Sequence, residues 1–295
     1  MRIAVTGKTG QVVTALLALN APDLTVIALG RPELDLAVPS SVRDALKTAA
    51  PDVVISSAAY TAVDTAESES DAAFAVNRDG ARAVAEAAAE LAIPVIHLST
   101  DYVFDGSKTE PYLEDDATGP TSVYGRSKLE GELAVAAATD DHAILRTAWV
   151  YSPYGNNFVK TMLRLAETRD ELRVVADQVG CPTSADDIAK AVIAIARRMV
   201  ADPSPALRGV FHLAGSGETS WAGFARAIFA VREAVTGAPM VVHDITTADY
   251  PTPAKRPANS RLNCDRLEAA YGLRLPRWQT STEDVVKTLL RGTSA

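Results

Sequence analysis

The chain reads as an α/β protein: a doubly wound parallel sheet with a smaller second lobe. Three observations predict this. Short apolar runs alternate with alanine-rich segments of helical period through the first half. A glycine-bearing turn joins the first run to the first helix. The alternation breaks near residue 149, where Pro, Gly and Asn cluster. Continuous apolar strands are buried on both faces, which calls for helices above and below a parallel sheet.

The elements follow in order. Residues 2–5 (RIAV), 24–29 (LTVIAL), 53–56, 94–98 (PVIHL) and 143–146 (AILR) read as strands. Between them, 12–19, 41–49 (with Ser40 as cap), 71–91 and a helix running on through 130–137 read as crossovers. Right-handed βαβ crossovers place ligands outside the carboxyl ends of such strands. Further on, 158–167, 185–200 and 220–231 read as helices, 172–175 and 210–213 as strands, and the Pro-rich 248–261 as loop. Strand 210–213 has the apolar character to rejoin the sheet. The expected division is a dinucleotide domain of 1–148 plus about 172–215, and a substrate lobe of 149–171 plus about 216–295.

Bulk properties narrow the function. The chain has 295 residues, 47% hydrophobic and 22% charged, with a formal net charge of -8. That composition suits a folded core, and the acidity argues against nucleic-acid binding, which rests on Lys and Arg. Cys181 and Cys264 lie in no CxxC or Cys/His cluster, so buried thiols are expected, not a metal site. The four histidines show no metal spacing, and His97 reads as a core residue. With no leader-like stretch and no long apolar run, a cytoplasmic protein without membrane contact is expected.

The turn Val5-Thr6-Gly7-Lys8-Thr9-Gly10-Gln11-Val12-Val13 carries the first chemistry. Gly7 and Gly10 let the backbone bend tightly and approach a pyrophosphate, and the helix start offers free N–H groups. This is the dinucleotide-binding (Rossmann) position, although Val13 replaces the usual third glycine. That loss should shift the helix slightly and leave both phosphate-facing glycines in place. At the end of the second strand, Gly30 and Arg31 stand where an NAD-selective protein places an acid. Arg31 can pair with a 2′-phosphate, which favours NADPH with NADH still usable. An exposed Arg at a strand end is also common, so this residue alone does not decide. Asp35 is a further candidate contact to the adenine or ribose, or a turn cap.

The fourth strand ends Ser99-Thr100-Asp101-Tyr102, and Tyr124-Gly125-Arg126-Ser127-Lys128 follows. The YxxxK spacing puts phenol and ammonium one helical turn apart. Hydride addition to a ketone creates an alkoxide that needs a proton. Tyr124 is the expected donor, Lys128 the cation that lowers its pKa, and Thr100 the hydroxyl that holds the substrate oxygen. Tyr102 has no Lys four residues on. With Asp101 it is expected to touch substrate or to support the site.

Longer stretches add a resemblance. GKTGQV (7–12), PDVVISSAAYTAVDTAE (51–67), STDYVFDG (99–106), VYGRSKLEGE (123–132), RTAWVY (146–151), GNNFVKTMLRLA (155–166), DQVGCPT (177–183) and YPTPAKRPANSRLN (250–263) run through nearly the whole chain. Together they resemble the dTDP-4-dehydrorhamnose reductase family, an extended branch of the short-chain dehydrogenase/reductases. The resemblance implies reduction of a dTDP-linked 4-keto sugar. By position it implies Thr100, Tyr124 and Lys128 as catalytic residues, and Gly10, Gln11, Val12, Asp35, Leu36, Ala58, Ala59 and Tyr60 as cofactor lining; Gly7, Thr9, Gly30, Arg31, Leu98, Tyr124 and Lys128 join that lining from the turn, the strand ends and the YxxxK helix. Sugar and nucleotide contacts fall to Thr100, Asp101, Tyr102, Trp149, Asn157, Arg256 and Asn259. A homodimer is compatible with the resemblance. Some members hold Mg²⁺ through a carboxylate on the first helix. Residues 14–19 contain none, so no metal is expected.

Rival readings differ in what they require. A related reductase acting on another dTDP-4-keto-deoxysugar would share the whole site. A non-catalytic regulatory subunit on the same fold has no need of Tyr124 and Lys128, yet both are present. A dehydratase wants an Asp–Glu pair after Thr100, where the chain has Asp101-Tyr102. The cofactor reading makes one sharp prediction. Arg31→Ala should lower the ratio of NADPH to NADH turnover, and an unchanged ratio would remove Arg31 from 2′-phosphate recognition.

Overall fold

The predicted strands form, and they form one sheet. In the computed structural model, which describes residues 1–19 and 21–292, six strands pair in parallel. They are β1 (Arg2–Thr6), β2 (Thr25–Leu29), β3 (Val53–Ser56), β4 (Val95–Thr100), β5 (His142–Thr147) and β6 (Gly209–His212). Their order is β6-β5-β4-β3-β1-β2. The direction of winding reverses between β1 and β3, the switch point of a doubly wound sheet. The register keeps the carboxyl ends level, with Thr6 opposite Leu29 and Thr100 opposite Thr147.

Strand parity explains the two cores. Ile3, Val5, Ile55, Ile96, Leu98 and Leu145 face one side, against helices Gln11–Ala18 and Ala185–Ala201. Ala4, Val54, Val95 and Ile144 face the other, against helices Pro39–Ala49, Ala81–Glu90 and Val123–Ala138. The inner strands β1, β3, β4 and β5 thus bury both faces, which is why they read as unbroken apolar runs. Strand 210–213 does rejoin the sheet, as β6 beside β5.

The second body is built from helices Phe158–Leu165, Trp221–Thr236 and Trp278–Gly292 around one core. Strand Glu171–Val175, expected with the dinucleotide domain, pairs with Val241–Ile245 and buries Leu172 and Val174 in this second core. Conversely, helix Asp265–Tyr271, expected in the lobe, packs Leu267 and Tyr271 on the sheet side. Two elements have weak sequence signals. Strand Val241–Ile245 is half exposed and carries His243 and Asp244. Helix Trp278–Gly292 buries Ser281 and Thr282 beside Val285 and Val286, so its inner stripe is not apolar.

The long helix expected over 71–91 is interrupted. A π-helical turn, Ala75–Gly80, separates Ser70–Phe74 from Ala81–Glu90. Such turns mark functional segments, and this one aims the buried Asn77 side chain at the catalytic helix. Gly80 fits because a Cβ there would lie 2.6 Å from Leu36 Cβ.

One buried ion pair clamps the catalytic helix to the sheet. Glu132, on helix Val123–Ala138, accepts from Arg146 of β5 at 2.7 and 3.0 Å and from the Ser99 hydroxyl of β4 at 2.5 Å. Both charged side chains are about 5% exposed or less. Removing one partner strands the other charge in the interior. Glu132→Ala should therefore cost roughly 3–5 kcal/mol. Equilibrium urea unfolding measures this, and a loss below about 1 kcal/mol would contradict it.

Candidate active site

The glycine turn, Thr100, Tyr124 and Lys128 gather at the carboxyl edge of the sheet. At the end of β1, Gly7 has φ +100° and its N–H donates to Leu29 O at 2.6 Å. A Cβ at Gly7 would stand 3.4 Å from Ala58 Cβ. Thr6 Oγ1 accepts from the N–H groups of Ser57 and Ala58, each at 3.0 Å, joining this turn to the loop after β3. Gly10 caps helix Gln11–Ala18 without a side chain. Val13 is buried, with Cγ2 3.5 Å from where a Gly7 Cβ would lie. The turn therefore forms with Val13 filling the place of the third glycine.

The end of β2 holds a residue that motif reading passed over. The Lys8 stem crosses the bare face of Gly30, and its ammonium donates to Arg31 O at 3.0 Å and Glu33 at 2.5 Å. Arg31 is exposed beside it. Asp35 accepts from the Ala37 N–H at 3.0 Å, a turn cap and one of its two expected roles. Leu36 is buried in the adjoining core.

Asn77 ties the cofactor loop to the catalytic helix. Its Oδ1 accepts from Tyr60 N–H at 2.8 Å, and its Nδ2 donates to Tyr60 O at 3.1 Å and Ser127 Oγ at 2.9 Å. All its ordinary donors and one acceptor are thus used. No spacing rule marks it, since its partners lie 17 and 50 residues away. Ala58 and Ala59 lie between this clamp and the Thr6 anchor on the same loop.

Helix Val123–Ala138 starts at Ser122, whose hydroxyl accepts from the Gly125 N–H at 3.1 Å. Tyr124 lies in its first turn and Lys128 one turn on. Gly125 is required here, because a Cβ would stand 2.3 Å from Tyr102 O. The buried Lys128 ammonium donates to Leu98 O at 2.6 Å and faces His97 Nε2 at 3.4 Å. Burial pulls its pKa down to about 8. Burial and the facing Lys128 also hold His97 well below its usual range, so the ring is neutral. Because Lys128 can only donate, Nε2 accepts and the Nδ1 proton goes to Ser56 Oγ, 3.0 Å away.

The expected lowering of the Tyr124 pKa by Lys128 is not what this geometry produces. Burial pushes the phenol well above its usual value, hydrogen bonding with Thr100 opposes that, and Asp101 and Tyr102 add to the rise. The ammonium is turned to the strand carbonyl instead. Tyr124 therefore holds its proton across the physiological range, as a donor to a more basic alkoxide must.

Thr100 ends β4, donates to Asp101 Oδ1 at 3.0 Å and accepts from the Tyr102 N–H at 3.2 Å. The Tyr102 ring meets Tyr124 edge-on, with centroids 5.5 Å apart. Burial raises the Tyr102 phenol to about 12. Trp149, with φ +49°, holds a strained left-handed backbone, and its indole stacks on Trp221 at 3.6 Å. Gly180 admits that indole: a Cβ there would lie 2.5 Å from the ring. Trp221 is a second residue that sequence reasoning missed, its only signal being an aromatic at a helix start.

A cleft of about 1140 Å³ opens beside Tyr102 between the two bodies. Asp64, Asn157, Phe158, Arg173, Trp221 and Arg256 are among its walls. Two expected substrate ligands are spent on structure. Asn157 caps helix Phe158–Leu165 and donates to Gln11 Oε1 at 2.9 Å and Ser152 O at 2.8 Å. It links the dinucleotide turn to the lobe. Asn259 donates to Lys108 O and Glu110 O and accepts from the Arg261 N–H and Nε. Its amide is thus fully engaged within the loop. Cys181 and Cys264 are unpaired thiols that burial raises to about 11 and 12.

A proton-holding phenol beside a strand-end hydroxyl, at the mouth of a dinucleotide turn, is the arrangement of a short-chain dehydrogenase/reductase. Fold and site place the chain in that class of oxidoreductase. Comparison with known proteins narrows the class. The family model described as the RmlD substrate binding domain matches residues 1–291. A dTDP-4-dehydrorhamnose reductase of Sinorhizobium fredii is 64% identical over 290 residues, 98% of each chain. Among solved structures, a dTDP-4-dehydrorhamnose reductase of Clostridium acetobutylicum matches with a TM-score of 0.91 and 39% identity, covering 98% of this chain and 100% of its own. The Bacillus anthracis dTDP-4-dehydrorhamnose reductase, solved in complex with NADP, matches at 0.90 and 34%, covering 97% and 99%. The chain belongs to the dTDP-4-dehydrorhamnose reductase family, and it is an NAD(P)H-dependent oxidoreductase.

Asp101 supplies a pH test. Burial raises its carboxyl to about 6, with hydrogen bonds from Ser260 and Thr100 opposing the rise. An acid whose folded pKa is raised costs stability once both states are ionised. The cost is absent below about pH 4 and complete above about pH 6, worth roughly 2–3 kcal/mol. Asp101→Asn should raise the melting temperature at pH 8 and lose that advantage towards pH 4. A pH-independent difference would show that Asp101 ionises as freely folded as unfolded.

Proposed function

We propose that the chain reduces the C4 ketone of dTDP-4-dehydro-L-rhamnose to dTDP-L-rhamnose with NADPH, Tyr124 giving the proton. The observation that carries this reading is the Tyr124 phenol, kept protonated by burial and set beside Thr100 at the carboxyl end of β4. The 64% identity to the Sinorhizobium fredii reductase over 98% of both chains supports the substrate, and the NADP complex of the Bacillus anthracis relative supports the cofactor.

The residues present fit a phosphorylated dinucleotide. Gly7 and Gly10 leave the β1 turn open, and exposed Arg31 brings a cation to the end of β2, where Lys8 is paired with Glu33. When bound, the cofactor supplies a hydride to the ketone carbon. The remaining work falls to the chain. Thr100 would turn its single hydroxyl proton from Asp101 Oδ1 to the substrate oxygen. Tyr124 transfers its phenolic proton to that oxygen as negative charge builds there, leaving a phenolate to be reprotonated from water. Lys128, one turn on and turned to Leu98 O, would hold the nicotinamide ribose hydroxyls and does not lower the phenol's pKa. Trp221, backed by the stacked Trp149, lines the cleft with an aromatic surface suited to a sugar ring.

The test is direct. Purified protein given enzymatically generated dTDP-4-dehydrorhamnose should consume NADPH. Tyr124→Phe should lower kcat by about 10²–10⁴ while KM for the sugar changes only a few-fold. Folded, cofactor-binding protein that leaves NADPH absorbance unchanged would sink the proposal.

A further inference from the structure

The cleft contains a charge pair that the chemistry above does not use. Asp64 lies on the short helix Val63–Ala66, just after the cofactor-lining loop. Its Oδ2 accepts from Arg256 Nη2 at 2.6 Å, and its Oδ1 accepts from the Ala254 N–H at 3.1 Å. Arg256 Nη1 donates to the Tyr102 hydroxyl at 3.3 Å. Asp64, Tyr102, Thr252 and Arg256 all line the cleft.

Stability does not explain this pair. The Asp64 side chain is 41% exposed, and an ion pair that open contributes little to folding. Its geometry has a different use. A guanidinium presents five N–H donors in a rigid plane. Here Asp64 holds one edge of that plane and Tyr102 holds the other terminal nitrogen. The Nε–H and the outer N–H groups remain for a ligand. A planar fork fixed at two points is ready for bidentate contact with a diphosphate, because the side-chain freedom that binding would remove is already gone. The same Tyr102 touches Tyr124 edge-on, so the fork is registered against the reacting end of the site.

We propose that Asp64 is a positioning residue for the substrate: with Tyr102 it orients Arg256 so that its free donors grip the nucleotide diphosphate. This rests on reading the cleft as a nucleotide-sugar site. Asp64 acts through Arg256 and does not touch the reacting atoms. Its second bond, to Ala254, is a strap contact; the single oxygen of an amide can serve the strap or the guanidinium but not both, and it carries no charge to hold the cation.

The experiment compares Asp64→Ala, Asp64→Asn, Arg256→Ala and the Asp64→Ala/Arg256→Ala double variant in the full-length protein. Calorimetry with dTDP alone and steady-state kinetics with the keto sugar are the readouts. Asp64→Ala and Asp64→Asn should both weaken dTDP binding and raise the sugar KM by about tenfold, with a smaller change in kcat and an unchanged NADPH Kd. The double variant should be no weaker than Arg256→Ala, since Asp64 acts only through that residue. If Asp64→Asn binds dTDP like the wild type, the carboxylate serves only the Ala254 strap and the proposal fails. Additive losses in the double variant would overturn it too. Wild-type protein that binds no dTDP would remove the nucleotide-sugar reading itself, and the proposal with it.

Discussion

The Glu132 carboxylate, shared between Arg146 and Ser99, is the contact on which the catalytic geometry depends. It fixes helix Val123–Ala138 against β4 and β5 one turn beyond Lys128. A helix sliding on an apolar sheet has several near-equivalent seats. A buried charge with three oriented donors has one, because any shift leaves a charge unpaired. With the seat fixed, Lys128 meets the Leu98 carbonyl and Tyr124 meets Thr100. Gly125 and Gly131 let the helix approach closely enough: a Cβ at either would lie within 2.3 Å of backbone oxygen.

The same close packing sets the electrostatics. Burial drives Tyr124 up, Lys128 down and His97 well down, so the interior holds a phenol that keeps its proton and an imidazole that stays neutral. Lys128 is the one cation at the centre of this group, and the neutral ring avoids competing with it. Asp101 is destabilised in its charged form within the same region. A site that disfavours resident charge is one in which charge developing on a substrate oxygen draws the proton strongly.

Contacts between the two bodies converge on the site from opposite sides. Gln11, at the dinucleotide turn, is bonded to Ser152 and Asn157, while Asp64, beyond the cofactor loop, is bonded to Arg256. Each joins a cofactor-side segment to a lobe segment. Asn157, Asn259 and Asn77 each tie separate segments together. All are asparagines with their amides engaged by backbone or neighbouring side chains. An asparagine looks the same in sequence whether it binds a sugar or a loop.

The sequence by itself determined the sheet, the β1 turn and the Tyr124–Lys128 pair. These rest on local rules: apolar runs for strands buried on both faces, glycine where the backbone must turn, and the 3.6-residue period that sets two side chains one turn apart. It also determined the family, because motifs such as DQVGCPT and RPANSRL sit where the chain packs closely, as Gly180 does under Trp149. Tertiary structure alone decided what pairs across distance. The Lys128 ammonium turns to Leu98 and not to the phenol, Lys8 crosses Gly30, and strand Glu171–Val175 joins Val241–Ile245 in the lobe core. The Trp278–Gly292 helix hid in the sequence because polar Ser281 and Thr282 occupy its buried stripe. Such choices depend on burial and on partners tens to hundreds of residues away, which no local period encodes.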